Sequence, residues 1–299
     1  MCGSFSRDMK KRIIFEGVGT ALVTPFRDGG IDYTALGGLI EMQLRCGSDA
    51  LIIGGTTGEA ATLTDDERYR LFSFSRAKVN DRCRLVFGTG TNDTKAAVRH
   101  TMLASQIGCD GALVVTPYYN KGTEEGIVNH YLRIAEASGV PVLLYNVPTR
   151  TGVNLSFDAL GRLAEHENIV GIKEAHDGFE RQVKLAAFGD KLHRYAGADA
   201  TFFPTLALGG LGVISVASNA YPERVRRIYT LFKEGKYAES LAAQVKLLPL
   251  IDALFIETNP SPIKFVMEKM GLCSGEVRLP LDRVRAENAE KILAAMEKI

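Results

Sequence analysis

The chain has 299 residues, and its 36 lysines and arginines nearly balance its 35 aspartates and glutamates, leaving a formal net charge of +1. This balance offers no broad electrostatic attraction to nucleic acid or to an anionic membrane. No apolar run reaches the ~18–20 residues that a membrane-spanning helix needs.

The N-terminal segment Met1–Lys11 is polar and lacks the apolar run of a secretory signal. Met9 offers an alternative start, and we expect roughly residues 1–14 to form a tail. The cysteines are odd in number, scattered and without a CxxC pair, which predicts reduced thiols and a cytoplasmic protein. They are Cys2, Cys46, Cys83, Cys109 and Cys273.

Short apolar runs alternate with longer amphipathic stretches at a spacing of roughly 30 residues, the length of one βα unit. The runs are continuously apolar, as expected for strands buried on both faces. The predicted strands are Gly19–Val23, Ala50–Ile53, Arg84–Phe87, Ala112–Val115, Pro141–Leu144, Ile169–Ile172, Leu192–Tyr195 and Val213–Val216.

Helical patterns lie between these runs, and one of them places three acidic residues, Asp65–Glu67, in its first turn, where the helix dipole favours them. The predicted helices include Tyr33–Arg45, Asp65–Lys78, Thr94–Ile107, Glu124–Ala137, Ser156–Glu165 and Ala200–Leu208. From about Ala238 the alternation stops, and three further helices are predicted. They are Gln244–Phe255, Pro262–Met270 and Val284–Met296.

This pattern predicts an α/β fold, a (β/α)8 TIM barrel over residues 1–236, followed by an all-helical C-terminal domain over residues 237–299. Because no low-complexity linker separates the two, the helical part should pack on the barrel. A doubly wound sheet is the alternative. It would usually have fewer strands and a glycine-rich first turn, whereas the first run here is followed by Thr24-Pro25-Phe26.

In a barrel enzyme the chemistry lies at the C-terminal ends of the strands. Here glycines and hydroxyl side chains concentrate directly after the predicted strands, although turns favour the same residues. The segments concerned are Gly54–Glu59, Gly88–Asn92, Thr116–Asn120, Tyr145–Gly152, Lys173–Ala175, Gly197–Asp199 and Ser218–Asn219.

Lys173 follows a run that should form barrel wall, and a lysine is costly there unless it is paired or neutral. Burial generally favours the neutral form of an amine, which is a nucleophile toward carbonyls. The alternatives are an ion pair with Glu174 or a side chain that reaches the rim.

Tyr145 ends the preceding strand and should lie beside Lys173, where a phenol can move protons, alone or with Thr56; a ring simply buried in the core is the alternative. Thr56 and Thr57, beside glycines, suggest backbone amides exposed to a small carboxylate. Arg150 is a candidate carboxylate clamp or an ordinary solvated arginine.

Metal chemistry finds little support in the sequence, because the histidines are far apart and no HExxH occurs. We therefore predict no metal and no cofactor. The histidines are His100, His130, His166, His176 and His193.

Five motifs in order give the chain a specific resemblance to the dihydrodipicolinate synthase family, which is among the pyruvate-dependent class I aldolases together with N-acetylneuraminate lyase. They are GTTGE (55–59), TPYYN (116–120), YNVPTRTG (145–152), GIKEA (171–175) and GVISV (212–216). The resemblance extends from about Gly17 to the C-terminal helices.

The resemblance implies that Lys173 forms a Schiff base with pyruvate and that Tyr145 relays protons. It implies that Thr56 links Tyr145 to Tyr119, which reaches in from a neighbouring subunit. Further binding roles are also implied: Thr56 and Thr57 for the pyruvate carboxylate, the Ile214 carbonyl and Gly197 for the surroundings of the lysine, and Arg150 for the carboxylate of the second substrate.

In the synthase the second substrate is L-aspartate 4-semialdehyde and the product is 4-hydroxy-tetrahydrodipicolinate, on the path to lysine and diaminopimelate. The resemblance also implies a homotetramer built as a dimer of dimers. Lysine-inhibited members usually carry Glu or His where this chain has Ala96, and a common His is replaced by Arg68. We therefore expect weak or no inhibition by lysine.

Two other interpretations compete with the synthase. The motif set around Lys173, Tyr145 and Thr56 is shared by other pyruvate aldolases, including those acting on 2-keto-3-deoxy sugar acids, 4-hydroxy-2-oxoglutarate or N-acetylneuraminate. His176-Asp177 departs from the commoner continuation of the GIKEA motif. A non-catalytic barrel is the third interpretation, but it predicts a broken set of catalytic residues, and the set here is intact.

Overall fold

The computed structural model describes residues 10–176 and 178–299. Met9, Cys2 and Asp177, which enter the sequence-based expectations, lie outside the described residues. The first segment that is described covers the N-terminal mouth of a barrel. There the Phe15 ring stacks on Tyr195 with 4.5 Å between centroids, and the Tyr195 hydroxyl donates to the Phe15 carbonyl at 2.6 Å.

Eight parallel strands close into a barrel, in which each strand pairs with its neighbours in the chain and the last pairs with the first. The (β/α)8 prediction is confirmed, and the doubly wound alternative is wrong. The strands are β1 Gly17–Ala21, β2 Ala50–Ile53, β3 Arg84–Gly88, β4 Gly111–Val115, β5 Val142–Asn146, β6 Ile169–Glu174, β7 His193–Ala196 and β8 Gly212–Ser215. A small hairpin, Phe26–Arg27 with Gly30–Ile31, follows β1.

The first strand ends earlier than its apolar run predicts. The Asn219 side chain accepts from the Val23 amide at 3.0 Å and donates to the Ala21 carbonyl at 2.8 Å. These hydrogen bonds replace strand pairing for the Val23 amide and the Ala21 carbonyl, so Leu22 and Val23 are buried without belonging to a strand.

Helices follow the strands on the outside of the barrel, and three predicted spans match the structure because a capping side chain marks each start. Asp32, Asp93 and Thr123 cap α1, α3 and α4. The barrel helices are α1 Tyr33–Arg45, α2 Asp65–Val79, α3 Thr94–Ile107, α4 Glu124–Ala137, α5 Pro148–Thr151, α6 Phe157–Ala164, α7 Phe179–Ala186, α8 Phe202–Ala207 and α9 Pro222–Lys233.

The helical appendage consists of α10 Tyr237–Leu254, α11 Ser261–Lys269 and α12 Ala286–Met296. Leu250, Ile263 and Ile292 of these helices belong to the same apolar cluster as Leu36 and Val225 of the barrel helices. The appendage therefore shares the core of the barrel. None of the helices in the described ranges is both long and apolar enough to cross a membrane.

Candidate active site

Lys173 is the next-to-last residue of β6, and only 5% of its surface is exposed. It lies opposite Tyr145 of β5 and Tyr195 of β7 in the parallel ladders. Its Nζ is 4.3 Å from the centroid of the Tyr145 ring. Among the residues that the structure describes, no carboxylate forms an ion pair with Lys173, so the amine lies buried and unpaired near the C-terminal rim.

Glu174, the neighbour of Lys173, is engaged elsewhere, so the proposed ion pair between the two is not formed. Successive residues of a strand point to opposite faces, and Glu174 faces the helices. Its carboxylate accepts from Arg181 Nε at 2.9 Å, Asn146 Nδ2 at 2.7 Å and the His176 amide at 3.0 Å. Burial raises the pKa of Glu174, and Arg181 opposes that rise.

Tyr145 lies within β5, one residue before its end, instead of directly after the strand as its apolar run suggests. Its carbonyl accepts from the Thr116 amide and hydroxyl, both at 3.0 Å, which fixes the backbone. The side chain is 7% exposed and belongs to the apolar cluster inside the barrel. The ladder therefore sets a phenol beside the amine of Lys173.

Gly197 follows β7, the strand that pairs with β6, and Ile214 lies in β8. The Gly197 amide donates to the Glu174 carbonyl at 2.7 Å, and a Cβ on Gly197 would come within 2.8 Å of that oxygen. No side chain fits there, because the backbone after β7 closes onto the end of β6. Ile214 of β8 is fully buried in the cluster inside the barrel.

Asp199 is a buried carboxylate at this rim for which the sequence predicted no role. It accepts from the Ser215 hydroxyl and from the amides of Val216 at 2.9 Å and Ala217 at 3.1 Å. Burial raises the pKa of Asp199, and the hydrogen bonds from Ser215 and from the amides of Ala217 and Val216 oppose that rise. Its position after the seventh strand was the available signal, since barrel enzymes place their sites at the C-terminal ends of the strands.

The glycine loop after β2, Gly54–Glu59, is packed backbone against backbone on the end of β3. A Cβ on Gly88 would lie 2.2 Å from the Gly54 carbonyl oxygen, and Gly54 has a φ of +66°. Thr57 in this loop is 4% exposed, and its Oγ1 accepts from Asn259 Nδ2 at 3.0 Å. Thr56 is half-buried, and within the described part of this chain its hydroxyl bonds neither Tyr145 nor Tyr119.

Glu59 ends the same loop and forms a buried ion pair with Lys264 of α11, in which both side chains are at most 1% exposed. Lys264 Nζ also donates to the Glu276 carbonyl at 2.8 Å, and the Arg278 amide donates to the Glu59 carboxylate at 2.9 Å. Burial lowers the pKa of Lys264, and Glu59 opposes that effect. Sequence reasoning missed this anchor, although a lysine among the apolar positions of Ile263–Met267 was a signal.

Arg150 and Tyr119 lie outside the buried part of the site. Arg150 is exposed on α5, and its Nη2 donates to the Asn259 carbonyl at 3.2 Å. Tyr119 is 88% exposed with a φ of +70°. In a single chain, therefore, Lys173, Tyr145 and the buried Thr57 belong to the rim, Arg150 is tied to it through Asn259, and the ring of Tyr119 projects into solvent.

Arg68 is one of the two positions used to predict lysine insensitivity, and it contacts the backbone at the end of β3 and after the glycine loop. Its guanidinium is buried and donates to the carbonyls of Gly88 at 3.3 Å and Ala60 at 3.0 Å. Burial lowers the pKa of Arg68. Ala96 is half-buried on α3 and adds no polar group.

Residues 10–176 and 178–299 bring no three His, Cys, Asp or Glu side chains together in a way that would hold a metal ion. The groups that the structure does assemble are an amine, a phenol, hydroxyls and backbone amides. This arrangement suits the activation of a carbonyl compound by an amine.

A closed (β/α)8 barrel defines a barrel enzyme of the lysine-dependent aldolase class when, as here, a buried lysine without an ion pair among the described residues lies beside a tyrosine near the C-terminal rim. The family follows from comparison with known proteins. The model of the dihydrodipicolinate synthetase family matches residues 14–299, and the chain belongs to this family.

Individual relatives agree with the family match. The chain is 44% identical over 285 residues to a 4-hydroxy-tetrahydrodipicolinate synthase of Clostridium novyi (strain NT), covering 95% of this chain and 96% of that protein. The solved 4-hydroxy-tetrahydrodipicolinate synthase of Methylacidiphilum fumariolicum SolV superposes with a TM-score of 0.93 at 39% identity, covering 96% of both chains. Dihydrodipicolinate synthase from Aquifex aeolicus gives a TM-score of 0.93 at 40% identity, covering 95% of this chain and 98% of that one. The resemblance stated from the motifs is confirmed.

Proposed function

We propose that this chain condenses pyruvate with L-aspartate 4-semialdehyde to form 4-hydroxy-tetrahydrodipicolinate, a step of lysine and diaminopimelate biosynthesis. The observation that carries the proposal is the buried amine of Lys173, unpaired among the described residues and 4.3 Å from the Tyr145 ring centroid. The names of the relatives, which are similar over nearly the whole chain, support this substrate pair.

The reaction begins when Lys173 Nζ adds to C2 of pyruvate and the carbonyl oxygen leaves as water, which gives an imine. Loss of a methyl proton from the imine gives an enamine, and its carbon adds to the aldehyde carbon of the second substrate. Attack by the amino group of the semialdehyde on the imine carbon then closes the ring and releases Lys173. The Tyr145 phenol, directly beside the amine, moves the protons.

Pyruvate is oriented by its carboxylate at the glycine loop. Thr56 and Thr57 supply hydroxyls and backbone amides there, and the packing of Gly54 against Gly88 keeps these groups close to the barrel axis. The Ile214 carbonyl and Gly197 border the imine. Arg150, at the outer edge, binds the carboxylate of the aldehyde, because an arginine fork matches a carboxylate in two hydrogen bonds.

Tyr119 acts in the neighbouring subunit and completes a hydroxyl chain with Thr56 and Tyr145. Its 88% exposure and positive φ support this role, because a large aromatic ring held outward in a constrained turn is typical of a residue that inserts into a partner. The assembly is a homotetramer built as a dimer of dimers.

The chain is organised as a catalytic barrel over residues 1–236 and a helical domain over residues 237–299. We assign the enzyme to the cytoplasm, because its scattered cysteines, without a CxxC pair, suit a reducing compartment.

Two experiments test the proposed function. Borohydride reduction in the presence of pyruvate should leave one pyruvate adduct on Lys173, located by mass spectrometry of peptides. A panel of aldehydes and keto acids should give kcat/KM values at least about tenfold higher for pyruvate plus aspartate semialdehyde than for cleavage of sialic acid or keto-deoxy sugar acids. An unmodified Lys173 contradicts the imine, and a better sugar-acid substrate contradicts the synthase.

A further inference from the structure

Asn259 connects two parts of the site that the chain supplies from distant positions. It lies in the segment between α10 and α11, and its side chain is 4% exposed. Its Nδ2 donates to Thr57 Oγ1 at 3.0 Å, and its backbone carbonyl accepts from Arg150 Nη2 at 3.2 Å. One residue of the appendage therefore contacts both groups assigned to substrate carboxylates.

We infer that Asn259 is a positioning residue for pyruvate binding, which sets the direction in which the Thr57 hydroxyl donates. This inference rests on the role proposed for Thr57. A hydroxyl has one proton and two lone pairs. When the Asn259 amide fills a lone pair, the Thr57 proton stays available for the pyruvate carboxylate.

The alternative orientation of the amide would reverse the effect, because Oδ1 would then accept the Thr57 proton and remove the donor from the site. In the structure, Asn259 Oδ1 is buried and has no hydrogen-bond partner among the described residues. A buried polar atom without a partner is unusual in a folded protein. Asn259→Asp, which presents only acceptors, therefore tests which face of the amide Thr57 requires.

The segment that carries Asn259 is held independently of Thr57. The Lys264 amide donates to the Pro260 carbonyl at 3.0 Å, and the Lys264 side chain is anchored on Glu59. Removal of the Asn259 side chain therefore leaves the backbone of this segment, including the carbonyl that receives Arg150, in place.

The test compares Asn259→Ala and Asn259→Asp with the wild-type enzyme. For Asn259→Ala we expect the KM for pyruvate to rise about 3- to 10-fold, the cost of losing one hydrogen-bond donor. The KM for the aldehyde should change less than about twofold, because the bond from Arg150 to the backbone carbonyl remains. Borohydride trapping at saturating pyruvate should still go to completion.

Asn259→Asp keeps the side-chain volume but only accepts hydrogen bonds near neutral pH. Its carboxylate competes with pyruvate for the Thr57 proton and repels the substrate carboxylate. We expect the KM for pyruvate to rise at least as much as in Asn259→Ala. An Asp variant with the wild-type KM for pyruvate would overturn the inference.

Asn288→Ala is the matched control. Asn288 is 3% exposed in the same appendage, and its Nδ2 donates to Glu257 Oε1 at 2.8 Å, so its loss removes a partly buried bond to the segment that carries Asn259 without removing a bond to Thr57. This variant should lower the melting temperature without changing the KM for pyruvate. Equal rises of the KM in Asn288→Ala and Asn259→Ala would mean general loosening and would also overturn the inference.

A double-mutant cycle separates this inference from the proposed function on which it rests. If Asn259 acts through Thr57, its replacement should add nothing to the KM for pyruvate in a Thr57→Val background. If Thr57→Val alone leaves that KM unchanged, the proposed role of Thr57 is wrong. If Thr57→Val raises the KM and Asn259→Ala does not, the role of Thr57 stands and that of Asn259 is wrong.

Discussion

Lys173 and Tyr145 are neighbours across one ladder of the barrel, whereas Thr57 and Glu59 are held by residues 202 and 205 positions away in the chain. Lys173 and Tyr145 lie side by side because of the strand register, which the closure of the barrel fixes. The glycine loop is held by the Asn259 and Lys264 side chains of the appendage. The pair of Lys173 and Tyr145 and the loop residues Thr57 and Glu59 therefore depend on different parts of the fold.

This contrast has a physical cause. Consecutive parallel strands place residues of the same height side by side, and no further contact is needed to keep them there. A loop beyond the strand end has no ladder, so its backbone and side chains need partners from elsewhere. Damage to the appendage should consequently change binding and stability before it changes the chemistry at Lys173.

The largest effect is expected at the amine. Lys173→Ala should lower kcat by about a thousandfold or more, because no other group in the described residues replaces the nucleophile at this position. The melting temperature should stay close to that of the wild type, since loss of a buried, unpaired amine removes no ion pair. Steady-state kinetics and thermal melting measure the two quantities, and a variant with near wild-type kcat contradicts the assignment.

Breaking the buried pair of the appendage should act chiefly on stability. Lys264→Met leaves the Glu59 carboxylate buried without its cation, and we expect a loss of about 3–5 kcal/mol in the free energy of unfolding. Denaturant titration measures this loss. The double variant Glu59→Gln with Lys264→Met removes both charges and should recover much of it. Equal losses in the single and double variants would show that the two charges are not coupled.

A smaller, pH-dependent effect is expected at Glu67, which joins α2 to the appendage. Its hydrogen bonds with Arg278 lower the pKa of Glu67 from 4.5 to about 2, and the carboxylate is partly exposed. A depressed pKa in the folded state adds stability above pH 4.5 that is lost as the pH falls toward 2. We expect a contribution of about 1 kcal/mol after solvent screening.

The variant Glu67→Gln tests this effect in denaturant titrations at several pH values. Because glutamine does not titrate, its stability should fall less steeply than that of the wild type between pH 4.5 and pH 2. Parallel curves for the two proteins would show that Glu67 contributes nothing to the acid sensitivity.

The smallest effect is expected from free lysine. Ala96 stands where lysine-inhibited members usually carry Glu or His, and Arg68 stands where they commonly carry His. Neither side chain can accept a strong hydrogen bond from an ammonium group, so activity at millimolar lysine should stay within about 20% of the activity without lysine. The structure adds that the Arg68 guanidinium is already engaged with the carbonyls of Gly88 and Ala60. A clear drop in activity at millimolar lysine would contradict this prediction.

The sequence by itself determined the strand and helix order, the class of fold and the family. Apolar runs and amphipathic stretches are local signals, so spans such as Tyr33–Arg45 and Thr94–Ile107 were predicted to the residue. It also singled out Lys173, because a lysine closing an apolar strand is conspicuous without knowledge of its neighbours.

Only the tertiary structure decided what those residues face. It showed that Glu174 pairs with Arg181 and not with Lys173. It also showed that Asn219 ends β1 at Ala21 and that Asn259 contacts Thr57. These contacts link elements far apart in the chain, and a hydrogen bond between distant residues leaves no periodic trace in the sequence. The contacts that hold Thr57 and Glu59 come from Asn259 and Lys264, and the sequence alone did not indicate them.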